Sequence, residues 1–341
     1  MSPIELVGLS QLTDADRQRW QTITGRERSS PFYDHGWLAT IDATGLAAPV
    51  EVLIERDQAG VARTFLPFQR DGRRAVGPGR PLTDYHGAIG VVPDDLGPFV
   101  ERADVDELRF DHVPLSQSGF ARWAERVDVS PRIDLRDEAS TRWDERRFHR
   151  GLDGQQRQLA RRRGTVTFTI DDHDDEAWDA LARWKSAQYR RTGKRDLFGE
   201  PWVAATFARL RAATIAAPTG PVAMARPVVS TLRAGDRPVA VHLGLITAGC
   251  WHYWLPAYDP GARFASPGML LLREMCRSAP SLGAELIDLG RGMQPYKMQL
   301  ANDRVILIDG AVPSSRAGAR ARRAIGLARR TARAATRRLG A

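Results

Sequence analysis

The residues of this chain best suited to chemistry lie between Val239 and Asn302. Ser266, Pro267, Gly268, Met269 and Leu270 form a small-residue turn that opens an apolar helix-like run, directly after the strand-like stretch WHYWLPAYD. The first backbone N–H groups of a helix have no partner inside it, so a turn of this kind is a natural holder for phosphate. Beyond the helix come Asp288, Arg291, Tyr296 and Lys297, which bring a carboxylate, two cations and a phenol close together. Upstream, the alternation of VAVHLGLI puts Ala240, His242, Gly244 and Ile246 on one strand face. His242 is a candidate acid or base, although a lone strand histidine is more often hydrogen-bonded in a core. In WHYW, Trp251 and Tyr253 share one face while His252 and Trp254 share the other, as the walls of a cleft or a core would. Tyr258 and Asp259 then lead into the turn, Asp259 as a candidate base and Tyr258 as a substrate contact.

The first half offers one comparable cluster, Asp84, Tyr85 and His86 in PLTDYHGAIG. Polar side chains on a loop held by strands are a frequent acceptor site, and a turn capped by its own aspartate looks the same. A further candidate contact is Gln188, which extends the stripe Trp178, Leu181, Trp184 of an amphipathic helix.

The elements that must position these groups follow from periodicity. A helix begins after Thr13, with Trp20 and Ile23 on one face, and Phe32, Tyr33, Trp37, Leu38 and Ile41 mark a second. VEVLIER and VARTFLPF form a hairpin, GAIGVV a third strand, and DELRFDHVPL and RVDVSPRIDL two more. A hairpin, a helix-like segment and DELRFD recur in order as the later hairpin, helix and AELIDLG, a weak internal duplication with the phosphate-type turn only in the second copy. A chain of 341 residues suits more than one core. The expected division is 1–140, 141–312 and a basic tail at 313–341.

The net charge of +9 is confined to that tail, where nine arginines stand without an acidic residue after Gly310, so residues 1–309 are electrically balanced. This argues against nucleic acid as the main partner, because phosphate contacts should spread over the folded surface. Arg316 to Arg338 are instead expected on an amphipathic or unstructured tail that anionic lipid would attract. The arginines Arg146, Arg147, Arg150, Arg157, Arg161, Arg162 and Arg163 read as a solvated helix face, with an acidic substrate as the alternative. Arginine so outnumbers lysine (only Lys185, Lys194 and Lys297) that genome composition is the simplest cause. Cys250 and Cys276 lack disulfide or metal spacing and read as buried hydrophobes. With no apolar leader and no membrane-length run, the expectation is a cytoplasmic protein, peripheral at most on the inner face of the cell membrane.

AYDPGARFASPGMLLLREM, with its spacing to ELIDLGRGMQPYKMQL, resembles the CelD-like acetyltransferases of bacterial cellulose and exopolysaccharide biosynthesis, a branch of the GNAT superfamily. The resemblance is closest from Arg150 to Asn302 and looser in the first half, through LPF and the DYHG loop. It implies an α/β (α+β) fold of tandem GNAT-like acyl-CoA N-acyltransferase domains, with mixed sheets flanked by helices. It also implies acetyl-CoA or another acyl-CoA as co-substrate, no metal, and N- or O-acylation of a sugar, sugar nucleotide or amine precursor. The pyrophosphate would lie on Ser266 to Leu270, the pantetheine along the strand containing Trp254, and Tyr296 would protonate the departing thiolate. Asp84, Tyr85, His86, Gln188, Tyr258, Asp288, Arg291 and Lys297 would contact substrate. Lys297 could equally pair with Asp288, and Arg291 could equally sit in a structural ion pair. Where the family carries an Asp-Glu pair, this chain has Met293 and Gln294, so a carboxylate base cannot come from that spot: either the base is elsewhere, with His242, Asp259, His86 or Asp84 as options, or a water chain does the work, or activity has been lost. A Fem-type transferase using charged tRNA shares the domain doubling, but its long helical hairpin has no room here. A non-catalytic membrane-associated module is the third reading.

Overall fold

A computed structural model of the chain describes residues 3–26, 30–136, 146–216, 225–247 and 249–314. The strands are β1 (Ile4–Gly8), β2 (Val50–Arg56), β3 (Ala62–Asp71), β4 (Arg74–Val76), β5 (Ile89–Gly90), β6 (Glu107–Pro114), β7 (Ala124–Asp134), β8 (Val166–Ile170), β9 (Arg226–Ala234), β10 (Arg237–Thr247), β11 (Cys250–Tyr258), β12 (Leu286–Asp288) and β13 (Asp303–Pro313). The helices are α1 (Asp14–Arg26), α2 (His35–Asp42), α3 (Gly97–Arg102), α4 (Ser118–Ala121), α5 (Arg146–Arg163), α6 (Asp175–Arg191), α7 (Pro201–Ala216), α8 (Pro267–Ser278) and α9 (Pro295–Leu300). The expected tail helix lies outside the described residues, as do the side chains of Arg146, Arg147 and Arg150. Among the described residues, no helix is long and apolar enough to cross a membrane.

Local chemistry sets several boundaries. Thr13 Oγ1 accepts from the Asp16 N–H at the start of α1, and Asp34 accepts from Gly36 N–H before α2. Trp20 and Ile23 of α1, and Trp37, Leu38 and Ile41 of α2, are buried as their spacing predicted.

The strands join in one mixed sheet ordered β1-β2-β3-β4-β6-β13-β7-β12-β11-β10-β9-β8, with β5 beside β3. The duplication is visible in its pairing. β4 runs parallel to β6 with α3 in the connection, and β11 runs parallel to β12 with α8 in the connection. The two halves do not lie side by side as closed units. β13, from the end of the chain, inserts between β6 and β7, while β7, from the end of the first half, pairs with β12. Each half is completed by a strand from the other, so the junction between them is a continuous hydrogen-bonded ladder.

Helices cover both faces. Trp178 and Leu181 of α6 and Phe207 of α7 share one core with Trp20, Phe32 and Trp37 of the first half and with Trp254, Leu255 and Ala257 of β11. The alternate residues Trp251 and Tyr253 belong to a second core with Leu270, Leu271 and Met275 of α8 and Leu159 of α5. A third, around Phe99, Val100, Phe110 and Phe120, closes the first half. The period-two reading of WHYW thus separates the two faces correctly. His252 and Trp254 face the first half, and Trp251 and Tyr253 face α8.

Candidate active site

Two irregularities in β11 shape the site. Against β10, Leu243 pairs with Leu255 but Leu245 pairs with His252, so Gly244 alone opposes Tyr253 and Trp254, a β-bulge. A Cβ on Gly244 would come within 2.5 Å of the His252 carbonyl oxygen and of His242 Cε1, so only glycine fits there. Against β12, pairing ends at His252 and Asp288, while β11 continues to Tyr258. The parallel pairing stops there because β12 itself ends at Asp288, so the rest of β11 runs on beyond its partner.

A polar network sits at the last paired residues of β11 and β12. His252 Nε2 lies 2.9 Å from Asp84 Oδ2, joining the DYHG loop of the first half to β11 of the second. Asp288 accepts from Tyr85 Oη (2.6 Å), Ser130 Oγ (2.6 Å) and Gly290 N–H (2.8 Å). His252 Nδ1 lies 3.7 Å from Asp288 Oδ1 and has no hydrogen-bond partner among the described residues. Gly290, at φ +72°, lets the backbone pass so close that a Cβ would lie 3.4 Å from Asp84 Oδ2.

Asp84 is the member open to a ligand, with 26% of its side chain exposed. Burial pushes its carboxyl up. The His252 hydrogen bond and the electrostatic pull of His252, His112 and Lys297 outweigh that and hold it below the ordinary value, so it is ionised at neutral pH. Its neighbour Tyr85 is pushed well above the ordinary phenol range by burial and by Asp288.

Asp84 also lines a cavity of about 250 Å³ with Lys185, Gln188 and Tyr189 of α6, Lys194 just beyond it, and Trp254. Lys185 is buried, and its Nζ donates to Gln188 Oε1 at 3.3 Å. Burial is the main reason its ammonium is lowered to about 8, with Lys194 adding to the effect. Trp254 presents one ring edge to this cavity and donates its indole N–H to the Leu82 carbonyl.

The remaining candidates occupy other places. His242 is fully buried, stacks on Tyr253 at 4.6 Å, and accepts the bulge N–H of Trp254 at Nε2. Burial holds its imidazole neutral, well below the usual histidine range. Asp259 accepts from Gly261 N–H and pairs with Arg163 Nη1 at 2.5 Å. Beside it, Arg162 lies over the Phe264 ring at 4.4 Å, so two of the α5 arginines meet the turn before α8 instead of water alone. Arg291 is held by Asp128 (2.6 Å) and Asp309 (2.9 Å). Lys297 donates to the carbonyls of Gly290 and Arg291, and Asp288 is taken by Tyr85 and Ser130 instead of by Lys297. Among the described residues, His86, Asp111 and His112 form a group with metal-ligand spacing, with Arg80 2.7 Å from the same carboxylate.

In the turn itself, Ser266 has the left-handed conformation (φ 45°, ψ 53°) and α8 begins at Pro267. The Met269 and Leu270 N–H groups both turn back to the Ser266 carbonyl, and Pro267 has no N–H. The turn therefore uses more of its own donors than the sequence suggested, and the Gly268 N–H takes no part in these bonds. Tyr258 packs 3.6 Å from where a Gly268 Cβ would be. Tyr296 is half-buried against the α8 core, and burial raises its phenol to about 12. Met293, at the position of the missing acidic pair, is exposed.

Sequence reasoning found Asp84, Tyr85, Asp288, Gln188 and Trp254 but not the residues that join them. Ser130 looked like an ordinary strand residue, His252 only a cleft wall, and Lys185 part of a helix face.

Residues 146–298 match the acetyltransferase (GNAT) domain family. No curated protein matches the chain. Among solved structures, a conserved protein of unknown function from Bacteroides thetaiotaomicron aligns at TM-score 0.55 and 11% identity, over 91% of this chain and 100% of the other. The C-terminal domain (DUF2156) of a protein named as a putative lysylphosphatidylglycerol synthetase from Agrobacterium fabrum aligns at 0.53 and 15%, over 89% and 92%. FemX aligns at 0.54 and 11%, over 91% and 97%. At such identities these likenesses speak for the fold alone. Residues 146–298 thus match the acetyltransferase (GNAT) domain family, and the chain as a whole shares the mixed α/β fold of these structures.

Proposed function

We propose that this protein is an acyl-CoA-dependent N- or O-acyltransferase whose acceptor binds in the cavity between α6 and the DYHG loop. The observation that carries this reading is the Asp84–His252 pair at the point where the pairing of β11 with β12 ends. A strand that runs on beyond its partner offers backbone groups for an extended thioester arm, and in this reading the pair stands where that arm would meet an acceptor. The turn before α8, with its Gly268 N–H and neighbouring Arg162 and Arg163, suits the phosphates of coenzyme A.

In this reading the acceptor nitrogen or oxygen attacks the thioester carbonyl and gives its proton to Asp84. A carboxylate with a lowered pKa is a weak base, but the N–H of the tetrahedral adduct is acidic enough for it to remove. His252 holds the carboxylate in place. The C–S bond then breaks, and Tyr296, which keeps its proton at neutral pH, protonates the thiolate. Asp84 thereby fills the role left vacant at Met293 and Gln294.

The family resemblance favours an acceptor among the sugars, sugar nucleotides or amine precursors of the cell surface, and the basic tail would bring the enzyme to anionic lipid. Thermal denaturation with acetyl-CoA, CoA and charged tRNA tests the core of the reading, since a ligand that binds only the native state raises its melting temperature. Stabilisation by acetyl-CoA is expected. No response to any CoA ester would end it, and a response to charged tRNA alone would move the chain to the Fem-type chemistry.

A further inference from the structure

Of the 50 basic residues in this chain only three are lysine, and all three converge on one place. Lys185 feels both Lys194 and Lys297 as repulsive charges and Asp84 as an attractive one. Lys297 feels Asp84 as well. A chain that uses arginine almost everywhere for solvated charge places two of its three ammonium groups on the lining of one cavity and the third within electrostatic reach of them. The two cations differ in a way that matters here. Lysine is a compact point charge that fits a closed space, whereas the guanidinium is a wide planar fork.

The charges around Lys185 do not balance. Only 8% of it is exposed, yet among the described residues its one hydrogen bond goes to the neutral Gln188 Oε1 at 3.3 Å. The other groups that face it are Lys194 at the mouth, Lys297 from α9, His242 from β10, Tyr189 on α6 and Asp84 from the first half. Asp84 makes its hydrogen bond to His252 and no ion pair with Lys185 among the described residues. Lys297 already spends donors on two carbonyls. Lys185 is therefore a buried ammonium with unused donors, and an unpaired buried charge is costly enough that a partner anion is expected from the ligand.

Resting on the acyltransferase reading, we propose that Lys185, assisted by Lys194 at the mouth, binds an anionic oxygen group of the acceptor, so that the acceptor is a small amine bearing a carboxylate or phosphate. Its amine lies against Asp84 and its oxyanion against Lys185. The 250 Å³ cavity suits a molecule the size of an amino acid or an amino-sugar phosphate. The two lysines and one carboxylate that line it complement such a molecule in sign.

The test has a binding arm and a kinetic arm. With CoA present at saturation to fill its own phosphate sites, the wild type and K185M are melted with acetate or inorganic phosphate. At least one of the two anions should stabilise the wild type, the larger shift telling a carboxylate-bearing acceptor (acetate) from a phosphate-bearing one (phosphate), and K185M should lose the effect. The stabilisation should hold at neutral pH and fade above about 8, where Lys185 gives up its proton. In turnover with acetyl-CoA, L-serine, L-glutamate and glucosamine 6-phosphate are compared with serine methyl ester, glutamate dimethyl ester and glucosamine. The preferred anionic acceptor should exceed its neutral counterpart in kcat/KM by roughly ten- to hundredfold, mainly through KM, as expected for one charged hydrogen bond. K185M should erase that gap while keeping its stabilisation by acetyl-CoA. If K185M does not fold, K194M at the exposed mouth replaces it and should narrow the gap. Equal use of neutral and anionic acceptors, a gap that survives K185M, or no anion response in either arm overturns the proposal. Loss of acetyl-CoA binding in the wild type would instead overturn the acyltransferase reading.

Discussion

Replacing Asp84 with asparagine separates its charge from its shape. The shorter-range geometry survives, because a carboxamide in that place can still meet His252 across the 2.9 Å contact, so the loop and the end of the β11–β12 pairing should hold their positions. What is lost is the proton acceptor and a carboxylate whose charge both Lys185 and Lys297 feel. Removing a general base costs about 10²- to 10⁴-fold in kcat, which is about 3 to 5 kcal/mol of barrier. Stability should also fall. The Asp84 carboxyl is held below its unfolded value, so its charged form contributes stability that is present above the unfolded pKa and lost as pH falls through the folded one. At pH 7 the Asp84→Asn variant should melt below the wild type, and the gap should close as the pH falls below about 4. The assay is thiol release from acetyl-CoA with an acceptor that supports wild-type turnover, alongside melting with acetyl-CoA to show that the co-substrate still binds. A variant that binds acetyl-CoA and turns over at the wild-type rate would refute Asp84 as the base.

Tyr296→Phe should lower kcat by roughly 10²-fold without changing the acyl-CoA KM, because only the thiolate's proton donor is removed; an unchanged kcat would assign that proton to water. Tyr85→Phe removes the donor to the buried Asp288 Oδ2 and should cost about 1–3 kcal/mol in urea unfolding. Ser266→Gly relieves a left-handed serine and should raise stability by up to about 1 kcal/mol, which a higher melting temperature would register. Full-length protein should pellet with anionic vesicles in a salt-sensitive way, at about 1 kcal/mol per basic residue engaged, and a chain ending at Ser314 should not.

Much of the fold was legible because it is written in local periods. The alternation of WHYW separated two cores, and the SPGM turn announced α8. The Asp84–Tyr85–His86 cluster was visible as polar residues on a loop. Its use was not, because the partners of Asp84 and Tyr85 lie 168 and 203 residues away, on strands with ordinary alternation. No local pattern reports that β7 and β13 exchange halves, yet that exchange places Ser130 beneath Asp288. Lysine scarcity was visible as composition and read as genome bias. Its meaning emerges only when the three lysines are placed together. Arg291 and Lys297 show the converse: charged residues near a candidate site that the fold itself occupies, one with two carboxylates and the other with two carbonyls.

The position of β13 also bears on how the chain is made. β6 and β7 are translated early, but the strand that belongs between them ends at Pro313. Until the ribosome has delivered that segment, both strands carry an open edge of unpaired N–H and C=O groups, the kind of edge that invites pairing with another chain. The first half therefore cannot complete itself as it emerges, and the ladder closes only near the end of synthesis, over a long loop that makes closure slow. A nascent chain stalled before residue 303 should be protease-sensitive in both halves at once, and one released past residue 313 should become resistant as a single unit.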